Sequence, residues 1–435
     1  MIKTREDLIL LLNEAAELEH LLAVQYLYAA FATKRLPEEG LPPKQQNAVY
    51  DWSQLILLIS RQEMEHLGLV NNILTSIGGM PHFERPNFPL SGKYFTCPMF
   101  LEKLNDRSIK RFICFKRPDE ISKEDAFCKA YEHHDLSRTD PKNPLYYKDV
   151  AELYKIIAKG ISNIDMTDEE LFIGPPEAQL GGETLSLSFS RVGASGGVFD
   201  MTFMPITDRV TALKAIDLIT EQGEGTPGPF HTEPSHYQRF LDILKQFSKI
   251  KREDPSFDPS RNVVANPVLW QPEYGDGYNI ITHPLTRQVM ELFNNSYMLM
   301  MQMMIRFFAH TDETQAELNV LKYAAFFPFM TIVIRPMGEL LTEMPAFEDD
   351  EDGPRAGASF EINSALEFLP HKKAAWKMFE ERLLYLSQQM ETLSKQDGVP
   401  DRLAYVGESI GFIAQKFQLE LVDEQISKHA NKNNT

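Results

Sequence analysis

Ser60-Arg61-Gln62-Glu63-Met64-Glu65-His66-Leu67 sets a carboxylate and an imidazole three residues apart in a helix-patterned stretch. Residues i and i+3 share a helical face, so Glu63 and His66 can reach one metal ion together. The same spacing returns at Glu233 and His236. Two such pairs, with one glutamate from each of two further helices, are how four-helix bundles hold a di-iron or di-manganese centre.

Periodicity tests which carboxylates point inward. Around Glu63 the helical stripe reads Trp52, Ile56, Ile59, His66, Leu67, Val70 and Leu74. Around Glu19 it reads Leu12, Ala15, Ala16, Leu22, Ala23, Tyr26 and Ala30. An ionised carboxylate on such a stripe costs several kcal/mol unless a cation meets it. Glu65, beside Arg61, Gln62, Gly68 and Asn72, is expected on a wetter face. His20 points about 100° away from its neighbour Glu19, so it is expected beside the site or at the surface rather than as a ligand.

His236 falls on a stripe with Phe240, Ile243 and Phe247, one turn after Glu233 and with Pro234 at the helix start. A preceding stripe, Val210, Leu213, Ile216 and Ile219, breaks down at Glu221-Gln222-Gly223-Glu224-Gly225. Either Glu221 or Glu224 can supply the fourth carboxylate on this reading. Carboxylates with imidazoles suit iron(II) or manganese(II) better than copper or structural zinc. Such a centre should support folding as well as chemistry.

Outward from these motifs, helices are expected over 5–33, 43–77, 147–162, 207–222 and 233–249. Four more are expected at 284–310, 314–343, 371–396 and 399–418. Gly78-Gly79 with Pro81 just beyond is a strong stop for the second helix. Residues 80 to 145 lack clear periodicity and read as long surface-covering connections. Alternation of Leu185, Leu187 and Phe189, then of Phe199, Met201 and Phe203, predicts a β-hairpin over 183–204. The acidic run Glu348 to Asp352 before Gly353-Pro354 reads as a solvated linker; it lacks the regular spacing of a calcium loop. Two domains follow: a metal-binding bundle over 1–250, with an insertion at 80–205, and a C-terminal helical region over 262–425 packed on it.

The net charge of −18, from 44 basic and 62 acidic residues, argues against nucleic acid or an anionic membrane as partner. Three cysteines, at 97, 114 and 128, fit no zinc pattern and read as reduced thiols. Thr4-Arg5-Glu6-Asp7 reads as a helix cap with an acidic first turn rather than a signal peptide, so a cytoplasmic protein is expected. The methionine-rich run from Tyr297 to Ile305 is too short and too polar in its flanks to span a membrane.

Leu18-Glu19-His20 followed by Tyr26-Leu27-Tyr28-Ala29-Ala30 resembles the first helix of the ferritin-like domain of iminophenyl-pyruvate dimer synthases. So do Glu63-Met64-Glu65-His66-Leu67, Asn72 to Gly79 with Pro81, Gln222-Gly223-Glu224-Gly225, His236-Tyr237 and Arg239-Phe240. Val264-Ala265-Asn266-Pro267 and Asn294-Asn295 with Tyr297 extend the likeness to about residue 345. The Gln-Gly-Glu-Gly motif is its most specific piece. Gln62 departs from it, standing where the family often has a second glutamate.

The resemblance implies a mainly α chain: a ferritin-like four-helix bundle with a long insertion carrying a small β-hairpin, plus additional C-terminal helices. It also prefers Glu224 over Glu221. The expected ligands are then Glu19, Glu63, His66, Glu224, Glu233 and His236, holding one or two iron ions, with manganese as the other candidate. The expected function is a non-haem iron oxidase or oxygenase, related to enzymes that oxidatively couple amino-acid-derived imines in specialised metabolism. It would use a small organic substrate with dioxygen or peroxide, and a homodimer is compatible with it. The competing expectation is an iron-binding or ferroxidase protein without organic substrate.

Overall fold

The computed structural model describes residues 2–90, 98–118, 147, 149–181, 203–226, 228, 233–272, 277–309, 312–325 and 328–432. The chain divides into two compact units, one of residues 1–266 with 272–279 and one of 267–271 with 280–435. The predicted hairpin over 183–204 lies almost wholly outside the described residues.

Among the described residues, the first unit is built on six helices of ten residues or more: α1 (Arg5–Phe31), α2 (Pro43–Ser76), α3 (Asp106–Phe115), α4 (Val150–Asn163), α5 (Arg209–Glu224) and α6 (His236–Glu253). Their starts are written locally. Thr4, Asn105, Asp149, Asp208 and Ser235 each accept a backbone N–H from the first turn. Each such cap stabilises its helix by about 0.5–2 kcal/mol. At the other ends, Gly78 (φ +81°) follows α2 and Gly225 (φ +78°) caps α5 in the left-handed region that only glycine enters freely.

Helix α1 packs along α2, and α5 and α6 complete the bundle, with α3 laid on α6 and α4 on α1 and α5. From Leu18 to Ala32 no residue of α1 is more than slightly exposed, because neighbours cover it all round. Ser60 Oγ donates to the Ala23 carbonyl at 2.9 Å, fixing α2 against α1 one turn before Glu63. Asn72 clamps the covering chain onto α2: its amide donates to the Leu180 and Met204 carbonyls at 3.0 and 3.1 Å and accepts from Leu180 N–H at 2.8 Å.

Two expectations need correction here. The stretch read as surface-covering connections contains α3, whose Ile109, Phe112, Ile113 and Phe115 are buried. Its apolar periodicity is short, only three turns, and was hidden among prolines and aromatics. Cys114 in that helix is disulfide-bonded rather than reduced, a state that a reducing cytosol disfavours.

The second unit contains α7 (Pro284–Phe308), α8 (Gln315–Ala325), α9 (Arg335–Leu341), α10 (Lys372–Leu393) and α11 (Arg402–Lys432). Met298, Met300, Met301, Met303 and Met304 of α7 are buried in its core. Helix α10 packs along α11, with Trp376 and Phe417 rings 5.0 Å apart. The predicted helix over 314–343 is divided, with a π-helical turn at Met330–Ile334 ahead of α9. The acidic run read as a linker instead folds back: β1 (Pro345–Phe347) pairs antiparallel with β2 (Asp350–Arg355). Among the described residues, no helix is long and apolar enough to cross a membrane.

Candidate metal centre

Glu19 of α1 and Glu63 and His66 of α2 are fully buried, with donor atoms all within 4.8 Å of one another. His66 Nδ1 stands 3.1 Å from Glu63 Oε2 and 3.5 Å from Glu19 Oε2. His236, the first residue of α6, brings its own Nδ1 to 3.0 Å from Glu63 Oε1. The two imidazoles stack with centroids 5.6 Å apart. Glu63 therefore faces one histidine with each oxygen.

The far nitrogen of each ring is held by a glutamine. His66 Nε2 lies 2.8 Å from Gln222 Oε1, and His236 Nε2 lies 3.1 Å from Gln62 Oε1. Arg239 also donates to Gln62 Oε1, at 3.2 Å, which fixes that oxygen as the acceptor. An amide oxygen only accepts, so each Nε2 must carry the proton. In the metal-free chain His66 carries a proton on Nδ1 as well and turns it toward Glu63 and Glu19, whereas His236 sets Nδ1 against Glu63 Oε1.

Lys116, just past the end of α3, closes the remaining side. Its fully buried ammonium lies 3.0 Å from Glu63 Oε2, 3.7 Å from Glu224 Oε1 and 3.9 Å from Glu19 Oε2. The Tyr154 hydroxyl of α4 donates to Glu19 Oε1 at 2.6 Å. Glu19 Oε2, both Glu224 oxygens and the Tyr26 hydroxyl make no hydrogen bond among the described residues. Orphaned acceptors at full burial are expensive unless a cation serves them.

Electrostatics follow from this crowding. Burial raises Glu19, more than Lys116 lowers it, and raises Glu224 to about 8. Burial also works against ionising Glu63, yet Lys116 and His236 hold it well below the ordinary carboxylate range. His66 is pushed down by burial but carried up to about 10 by Glu19 and Glu63. His236 is pushed down to about 4, burial outweighing Glu63, and so stays neutral.

Of the residues expected as ligands, the structure brings together Glu19, Glu63, His66, Glu224 and His236. Glu221 is buried but turned toward Gly228, where a Cβ would meet its carboxylate. Glu233 is not brought in: its side chain is 66% exposed and pairs with Arg239. The i, i+3 argument fails there because the helix starts at His236 with Ser235 as its cap, leaving Glu233 outside it. Glu65, expected on a wetter face, is buried. His20 is buried too, with Nδ1 2.9 Å from the Phe83 carbonyl, so it fixes covering chain rather than the cluster.

Lys116 and Tyr154 escaped the sequence reading. The periodic stripe Ile109, Phe112, Ile113, Lys116 is the signal that would have raised Lys116, as a cation placed on an apolar face. The Gln-Gly-Glu-Gly motif is now explained residue by residue. Gln222 holds His66, Gly223 leaves space for Lys116 (a Cβ would lie 3.3 Å from Nζ), Glu224 faces the ammonium and Gly225 ends the helix.

The ferritin-like family model matches residues 12–245, and the chain belongs to that family. Two curated relatives are similar over most of it. Dichlorochromopyrrolate synthase of Lentzea aerocolonigenes is 28% identical over 96% of this chain, and 2-imino-3-(indol-3-yl)propanoate dimerase of Chromobacterium violaceum is 25% identical over 79%. The chain spans 41% and 33% of those relatives' lengths. A solved ferritin-like protein from Caulobacter vibrioides is 16% identical, with a TM-score of 0.41, over 74% of this chain and 93% of that one. That likeness is too loose to support further argument.

Proposed function

We propose that the first unit is the metal-binding catalytic domain of a non-haem iron oxidoreductase acting on a small amino-acid-derived imine, with dioxygen or peroxide as oxidant. The printed names of the two relatives, a synthase and an imine dimerase, support the substrate class. One observation supports the metal above all. His236 is neutral and so carries one proton, yet both of its nitrogens face acceptor oxygens, Nε2 that of Gln62 at 3.1 Å and Nδ1 Glu63 Oε1 at 3.0 Å, so one of the two contacts has no proton. Two acceptors so placed repel unless a cation lies between them.

The donor set fits iron(II), with manganese(II) as the alternative. Glu19, Glu63, His66 and His236 would hold the ion, with Glu224 beside them, and a bound iron would supply redox chemistry with the oxidant. The chain's own residues do the rest. Gln62 and Gln222 fix the ring orientation and tautomer of the two histidines. Tyr154 orients Glu19 through its hydroxyl. Lys116 keeps Glu63 ionised. Glu224, raised to about 8 in the metal-free chain, would give up its proton as a divalent ion fills the site. Burial of the whole cluster excludes bulk water from a reactive imine.

The test is to load the purified chain with iron(II) and supply 2-imino-3-(indol-3-yl)propanoate with dioxygen. Consumption of the imine and oxygen above a Glu63→Ala control is expected. Equal rates for the two proteins would sink the catalytic reading.

A further inference from the structure

The centre contains a cation of its own. Lys116 is sealed from solvent, and among the described residues its ammonium is the lysine head group set among Glu19, Glu63 and Glu224. Its position is built rather than incidental. Helix α3 is fixed to the bundle by Phe112, whose ring meets Tyr26 at 4.7 Å and Phe240 at 5.3 Å. Gly223 supplies the space that any larger residue on α5 would take from Nζ.

Charge then limits what else the site can take. With Glu233 exposed and paired elsewhere, three carboxylates among the described residues face the cluster, and Lys116 cancels one of them. One divalent ion brings the ionised site to neutrality, whereas two ions beside the ammonium would leave a buried double positive charge. The ammonium shares Glu63 Oε2 and Glu19 Oε2 with His66 and reaches Glu224 Oε1 at 3.7 Å, so it occupies cation space beside the oxygens that would hold an ion, while His236 takes Glu63 Oε1.

We infer that Lys116 takes the place of a second metal ion, so that this ferritin-like centre holds a single divalent cation per chain. This inference rests on the metal reading above. It makes Lys116 a positioning residue: it stabilises the ionised carboxylates that hold the ion without binding the ion itself.

The experiment uses the full chain, stripped with a chelator and reloaded anaerobically with manganese(II) alone. Metal per chain is measured by elemental analysis, and the paramagnetic resonance spectrum distinguishes an isolated ion from an exchange-coupled pair. One ion with an isolated-ion spectrum is expected. In Lys116→Met, which lacks the resident cation, the ratio should rise toward two, while Lys116→Arg should stay at one. A coupled pair in the unaltered chain overturns the inference and leaves the metal reading standing. No manganese bound at all overturns both. Should Lys116→Met fail to fold, the stoichiometry and spectrum of the unaltered chain still decide.

Discussion

Glu63 Oε1 and His236 Nδ1 meet at 3.0 Å although 173 residues separate them in sequence. Their contact joins α2 to the first residue of α6, so one contact both ties the bundle together and builds the centre. Since Glu63 also receives Lys116 and His66, it is the residue on which the cluster turns.

Removing that carboxylate should therefore cost folding as well as metal. In Glu63→Ala the buried Lys116 ammonium loses its nearest partner. Breaking a buried pair on one side costs about 3–5 kcal/mol. Urea denaturation of the metal-free variant should show a loss of that order. A change below about 0.5 kcal/mol would mean that Lys116 is not held as described.

The glutamines make a separate prediction. Gln222→Leu removes the acceptor that keeps the His66 proton on Nε2, leaving the ring free to present the wrong nitrogen. Outer-shell losses of this kind lower metal affinity by about 10–100-fold. A competition titration with a chelating dye should show the drop, with little change in the fold by circular dichroism.

Gly223→Ala tests the space around the lysine. Alanine ordinarily improves a helix over glycine by about 0.5–1 kcal/mol. Here its Cβ would lie 3.3 Å from a lysine held by three carboxylates. Overpacking of about 1–3 kcal/mol should outweigh the helical gain. A lowered melting temperature is expected, and a raised one would show that Lys116 moves freely.

The pH dependence has a definite sign. In the metal-free chain Glu224 rises from 4.5 to about 8 and His66 from 6.5 to about 10. Both folded values exceed the unfolded ones, so the stability they contribute is present at low pH and lost as pH rises through those windows. His236, lowered from 6.5 to about 4, works oppositely and costs stability as pH falls below 6.5. Metal-free stability should thus decline between pH 6.5 and 8, by up to about 1.4 kcal/mol per pH unit for each group. Metal affinity should run the other way, rising roughly tenfold per pH unit for each proton displaced. Thermal melts with and without manganese across that range check both slopes.

The parts of this arrangement visible in sequence were those with a long local signal. Glu19 and Glu63 stand on apolar stripes many turns long, which marks a carboxylate as buried whatever its partners. Helix type and order were legible for the same reason. Glu233 shows the limit: a spacing of three implies a shared face only inside a helix, and a serine cap two residues on moved it out. Lys116 shows the other limit, since its place beside Glu224 depends on α3 lying on α6, a long-range packing that no periodicity spans. Glu65 is buried although its helical neighbours are small or polar, and two of those neighbours, Gly68 and Asn72, lie under covering chain at Leu180.

Metal content of the purified chain and of its Glu63→Ala and His236→Ala variants tests the central claim most directly. Near-stoichiometric iron or manganese in the unaltered chain, lost from both variants, is the result predicted. Full metal content retained by both variants would contradict the account.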